Sequence, residues 1–131
     1  MTNEKIRILV VDDQMTMRQI NLDMLSNLGF KNLTEADDGT TALALLNERE
    51  FDLVVTDWNM PGMQGIDLLK AIRADSRMSG LPVILVTAEA KRDQIMAAAQ
   101  AGVNGYVVKP FNAAKLKETM DKVIARIAAT G

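Results

Sequence analysis

Apolar residues along the chain gather into short blocks that each stop at a polar side chain. Residues 7–11 (RILVV) run into Asp12-Asp13, 53–57 (LVVTD) close on Asp57, 83–86 (VILV) on Thr87, and 105–108 (GYVV) on Lys109-Pro110. A fifth and more polar block, residues 32–36, precedes the turn Asp37-Asp38-Gly39. Runs this short, rich in β-branched residues and bounded by Pro or Gly such as Pro61-Gly62, read as strands buried in a parallel sheet.

Between these blocks apolar residues recur at three- and four-residue steps. Met17, Ile20, Met24 and Leu28 predict a first helix over 15–28, with Gly29 as the residue that leaves it. Ala42, Leu43 and Leu46 mark a second helix before Glu50. Gly65 opens a third carrying Ile66, Leu69 and Ile72, and Ser79-Gly80 and Pro82 mark its end. Residues 92–100 form an alanine-rich fourth helix closed by Gly102. The fifth covers 113–128, with Leu116, Met120, Val123, Ile124 and Ile127 facing inward and Lys115, Lys117, Lys122 and Arg126 facing mostly outward. Strict alternation with short connections predicts an α/β fold. It is a single (βα)5 domain over residues 1–131, with one five-stranded parallel sheet, right-handed crossovers and helices on both faces.

Composition narrows the chemistry. The chain has neither cysteine nor histidine, which removes disulfides, thiolate catalysis, the usual general base and the usual zinc ligands. A metal here would be held by oxygen and would be a hard cation. A formal net charge of −2 offers no basic surface for nucleic acid. The opening residues 1–5 are short and polar, and no apolar run approaches a membrane span, so a cytoplasmic protein without a nucleic-acid or membrane partner is expected.

In a parallel sheet the carboxyl ends of the strands share one edge, where ligands collect. That edge would receive Asp12, Asp13, Asp57, Thr87 and Lys109. Carboxylates packed this closely repel and retain protons unless a cation joins them. An all-oxygen set that keeps water suits Mg²⁺, with Asp13 and Asp57 as ligands and Asp12 nearby. Once the charge is compensated, an Asp57 oxygen can attack phosphorus to form an aspartyl phosphate. Thr87 could then donate to a phosphoryl oxygen while Lys109 supplies a positive charge to the same oxygens. Taken singly each residue has a plainer role: Asp12-Asp13 and Thr87 as helix caps, Tyr106 as a strand residue against a helix, Trp58 as a partly exposed aromatic. Their joint arrival at matching strand ends points to chemistry. Met60 and Met63, on the loop after Asp57, mainly fill core and could also help cover the cleft.

The set Asp12-Asp13, Asp57, Thr87-Ala88 and Lys109-Pro110 resembles the receiver domain of two-component response regulators, over essentially the whole chain. Residues 57–61 (DWNMP), 86–91 (VTAEAK) and 97–111 (AAAQAGVNGYVVKPF) are similar to the CheY-type chemotaxis branch of that family. The resemblance implies the flavodoxin-like strand order 2-1-3-4-5 and phosphorylation of Asp57 by a CheA-type histidine kinase. It implies Mg²⁺ held by Asp13, Asp57 and the backbone carbonyl of Asn59, with Asp12 assisting through water. It further implies a switch in which Thr87 moves toward the phosphoryl group and Tyr106 turns inward behind it. The surface so controlled would bind the flagellar motor switch protein through Ala90, Lys91, Ile95, Ala99, Tyr106, Val108 and Lys122. A cis peptide before Pro110, a monomeric state and an auxiliary phosphatase belong to the same expectation, as do roles for Asn59 and Glu89 in the rate of acyl-phosphate loss.

Gln14, Gly62 and Gln64 lie where close chemotaxis relatives often carry phenylalanine, asparagine and an acidic residue, and Thr119 replaces a common lysine. The expected function is that of a signalling phosphoprotein rather than a turnover enzyme. An alternative in the same family is a phosphorelay intermediate or phosphate sink without a flagellar target. From another class, an aspartate-based phosphohydrolase would use the same side chains. However, 131 residues leave no room for a substrate-selecting cap, and its nucleophile would be expected after the first strand. A flavodoxin-like cofactor binder would need a phosphate-cradling loop after Val11, and none is present.

Overall fold

The computed structural model describes residues 3–88, 91–109 and 111–130. The five blocks form the strands β1 (Arg7–Val11), β2 (Asn32–Ala36), β3 (Leu53–Asp57), β4 (Val83–Thr87) and β5 (Gly105–Val108), joined in one parallel sheet of order β2-β1-β3-β4-β5. Between them run α1 (Met15–Asn27), α2 (Gly39–Glu48), α3 (Gly65–Ala74) and α4 (Arg92–Gln100), with α5 (Ala113–Thr130) last and a single 3₁₀ turn at Asn3–Lys5 before β1.

Successive strand residues point to opposite faces, so each strand feeds two cores. Leu9, Val11, Val54 and Leu85 pack with α2, α3 and α4, whereas Ile8, Val10, Val55, Ile84 and Val86 pack with α1 and α5. Every residue of β3 and β4 is buried, which explains why each is apolar until its polar carboxyl-terminal end. β2 stands at an edge with most of its residues partly or fully exposed, and is correspondingly more polar.

Helix ends follow local chemistry. Gly29 adopts φ +100° after α1, a backbone region that side chains rarely enter, and lets Phe30 N donate back to the Leu25 carbonyl at 3.1 Å. The Asp38 carboxylate accepts from Thr41 N at 2.7 Å and caps α2. Two expectations are corrected. α3 ends at Ala74 rather than near Ser79-Gly80, because Asp75 turns extended and its carboxylate accepts from Arg77 N at 2.9 Å, forming a competing turn. The buried residues of α1 are Asn21 and Leu25, while Ile20 is 40% exposed. Apolar residues spread too widely around α1 for the pattern to fix its inner face.

At the amino-terminal edge of the sheet, polar groups are paired. Arg7 donates through Nε and Nη2 to both oxygens of Asp52 at 3.0 and 3.1 Å. Arg73, at the end of α3, donates to the carbonyls of Ser79, Leu81 and Gly102 and to Asn104 Oδ1 at 2.6–3.1 Å. One guanidinium thereby fastens the entries to β4 and β5.

Candidate acidic pocket at the carboxyl-terminal edge

Strand register assembles the pocket. Val11 pairs with Thr56, so Asp12 and Asp57 emerge side by side; Asp57 pairs with Val86, which places Thr87 one step further out. Thr87 pairs with Val108, and Lys109 follows. The structure thus brings together Asp12, Asp13, Asp57, Thr87 and Lys109.

Carboxylate oxygens of Asp12, Asp13 and Asp57 lie within 4.8 Å of one another. Lys109 Nζ stands 3.3 Å from Asp57 Oδ1 and 3.8 Å from Asp12 Oδ2. Asp12 is fully buried; its Oδ1 accepts from Gln14 N at 2.9 Å, and its Oδ2 has no hydrogen-bond partner. Asp57 is 8% exposed and Asp13 lies on the surface. Burial pushes the Asp57 carboxyl above the usual carboxylate range; the Lys109 ammonium opposes this and the Asp12 charge adds to it. Burial likewise raises Asp12, against the Gln14 N–H and the Lys109 charge. Three carboxylates therefore face one ammonium. A buried oxygen without a hydrogen bond, within an all-oxygen set, is what a hard divalent cation such as Mg²⁺ satisfies, so these residues fit that ion. Asn59 is exposed on the loop just beyond β3.

The backbone around Asp57 is held closely. A Cβ on Gly65 would overlap the Asp57 carbonyl oxygen, and Gly65 N donates to the Trp58 carbonyl at 2.9 Å. The start of α3 can approach β3 only because position 65 lacks a side chain. The sequence marked Gly65 as a helix opener and gave no sign of this contact.

Behind the pocket Thr87 is fully buried, accepts from Lys109 N through its carbonyl at 2.7 Å, and shares a side-chain hydrogen bond with Tyr106. Burial raises the Tyr106 phenol above its ordinary pKa, with the Thr87 bond opposing. The Tyr106 ring meets Trp58 edge to face, with centroids 6.4 Å apart at 74°. Trp58 is only 5% exposed, against the expectation of a partly exposed aromatic, because the strand-end turn folds it into the α2–α4 side of the core. Met60 is buried in the same cluster; Met63 packs against it and lies beside Gly39.

Of the residues expected to meet a partner, Lys91, Ala99 and Lys122 are exposed, Ile95 is 42% exposed, and Tyr106 and Val108 are half-buried. They lie where edge strand β5 runs between α4 and α5. Lys122 pairs with Glu118 at 3.4 Å. Met96, next to Ile95, is 50% exposed; adjacent Ile95 and Met96 on one helix cannot both face the sheet, which is the signal in the sequence for an exposed apolar residue here. The expected partner contact at Ala90, the role for Glu89 and the cis bond before Pro110 lie outside the described residues. Among the described residues no helix is long and apolar enough to cross a membrane.

The family model for the response regulator receiver domain matches residues 8–121. The chain is 63% identical over 125 residues to chemotaxis protein CheY-3 of Vibrio cholerae, covering 95% of this chain and 96% of that one. It is 64% identical over 122 residues to chemotaxis protein CheY of Pseudomonas aeruginosa, covering 93% and 98%. Among solved structures, Vibrio cholerae CheY4 matches with TM-score 0.83 and 33% identity over 90% of this chain and 98% of that one. A response regulator receiver domain protein from Clostridium thermocellum matches with TM-score 0.87 and 28% identity over 96% and 99%.

Proposed function

The chain belongs to the response regulator receiver family, as a chemotaxis-type response regulator, and on that premise we propose that Asp57 accepts the phosphoryl group from a histidine kinase. The supporting observation is the acidic trio of buried Asp12 and Asp57 with surface Asp13, facing one lysine, with an Asp12 oxygen that accepts no hydrogen bond. Asp13, Asp57 and the Asn59 carbonyl would hold Mg²⁺, with Asp12 acting through water. Bound there, the ion supplies charge neutralisation for the carboxylates and the incoming phosphoryl oxygens.

The chain's own residues do the rest. An Asp57 oxygen forms the O–P bond as the N–P bond of the kinase phosphohistidine breaks, and the electron pair leaves on the imidazole. Lys109, already 3.3 Å from Asp57, shifts its ammonium to a phosphoryl oxygen, and the Thr87 hydroxyl donates to another. Thr87 and Tyr106 share a hydrogen bond, so drawing Thr87 toward phosphate changes what holds Tyr106. That change alters the β5 edge formed by Lys91, Ile95, Ala99, Tyr106, Val108 and Lys122, where we place the flagellar motor switch protein. Residues 1–131 act as one receiver unit working in the cytoplasm.

The test measures affinity for the N-terminal peptide of a flagellar switch protein with Mg²⁺, with and without beryllofluoride as a phosphoryl stand-in. Tightening that depends on beryllofluoride and vanishes in Asp57→Asn is expected. A flat peptide affinity, with Trp58 emission still reporting beryllofluoride, would move the protein to a phosphorelay or phosphate-sink role.

A further inference from the structure

We propose that Arg18 is a positioning residue for the divalent cation: it fixes the main chain of Asp12-Asp13 so that both carboxylates face Asp57. The proposal rests on the acidic pocket being a Mg²⁺ site.

Only Asp13 and Gln14 separate Asp12 from the start of α1. Within that short link, Asp12 N donates to the Ala36 carbonyl at 3.2 Å, and Gln14 N donates to Asp12 Oδ1 at 2.9 Å. The Asp12 carbonyl at the strand end is taken by Arg18 Nη1 at 2.8 Å, reaching back from the first turn of α1. The same guanidinium donates through Nε to Glu35 Oε1 on β2, also at 2.8 Å, and its side chain is 15% exposed. One planar fork thus joins the end of β1, strand β2 and helix α1 at the main chain that carries the paired acids. Its two bonds diverge at a fixed angle, which a single ammonium cannot reproduce.

Electrostatics and positioning predict opposite signs. Removing a positive charge next to a cation site should tighten Mg²⁺ binding by Coulomb's law alone. Releasing the Asp12 carbonyl should weaken it, because the two carboxylates no longer converge before the ion arrives.

The experiment is a Mg²⁺ titration of the full chain, read by Trp58 emission and by calorimetry. It compares wild type with Arg18→Ala, Arg18→Lys and Glu35→Gln, at a temperature where thermal melts show each variant folded. Arg18→Ala is expected to bind Mg²⁺ about tenfold more weakly. Arg18→Lys should recover part of that loss. Glu35→Gln, which keeps the bond to the Asp12 carbonyl, should stay within about twofold of wild type. Unchanged or tighter binding in folded Arg18→Ala overturns the proposal. Should that variant not fold, Arg18→Lys decides: wild-type affinity overturns the proposal, weaker binding sustains it. Wild type giving no Mg²⁺ heat would bring down the pocket reading and this proposal together, whereas wild-type binding with an indifferent Arg18→Ala overturns this proposal alone.

Discussion

At the amino-terminal edge of the sheet, Arg7 meets both oxygens of Asp52, and Arg73 finds acceptors on Ser79, Leu81, Gly102 and Asn104. At the carboxyl-terminal edge, three carboxylates cluster around one lysine that pairs with two of them, and an Asp12 oxygen accepts no hydrogen bond. Both edges bury charge at the ends of the same strands. At the first edge Arg7, Asp52 and Arg73 are each matched, so their burial serves stability. At the second the mismatch is held in place by packing elsewhere, leaving binding energy for an ion and a phosphoryl group. The carboxyl groups record the difference in opposite directions: hydrogen bonding to Arg7 holds Asp52 below the ordinary range, and burial pushes Asp57 above it.

The strongest test of the unbalanced edge is Asp57→Asn, which should abolish labelling by acetyl phosphate, followed by intact mass. Labelling at any other residue would break the contrast at its centre. Stripping Mg²⁺ with a chelator should silence wild type to the same extent, and restoring the ion should restore labelling. At the balanced edge, Arg73→Ala should lower unfolding stability by about 3 kcal/mol in urea, because it strands several acceptors, while leaving Mg²⁺ affinity of the folded protein intact.

Next in size is Asp52→Asn, expected to lower stability at neutral pH by about 1 kcal/mol. Asp52 titrates lower folded than unfolded, so its contribution is present above the unfolded carboxylate range and is lost as pH falls through the folded value. Wild type and variant should converge in acid. Similar in size, and opposite in sign, is the effect of Asp57→Asn on stability without Mg²⁺: a gain of about 1 kcal/mol at neutral pH. Asp57 titrates higher folded than unfolded, so wild type loses stability as pH rises from the unfolded carboxylate range through the folded value. The gain should therefore vanish in acid. A neutral or destabilising Asp57→Asn would mean that the pocket is not strained by its acids.

β1, β3 and β4 were legible along the chain because burial on both faces leaves a short apolar run with a hard polar stop, and the less buried edge strands β2 and β5 also fall at the expected blocks. Parallel connection then commits the polar stops to one edge, which is why Asp12, Asp13, Asp57, Thr87 and Lys109 could be grouped before any coordinates. Features set by contacts between distant segments were not legible. The inner face of α1, the burial of Trp58, the close approach of Gly65 to Asp57 and the reach of Arg18 to the Asp12 carbonyl each depend on what another element presents at that point. The end of α3 was decided by a side chain competing for the backbone at Asp75. Sequence by itself determined which residues reach the functional edge, since periodicity and chain direction are local properties. Only the tertiary structure decided which Asp12 oxygen goes without a hydrogen bond there, since hydrogen-bond satisfaction is settled by neighbours that the chain brings together from far apart.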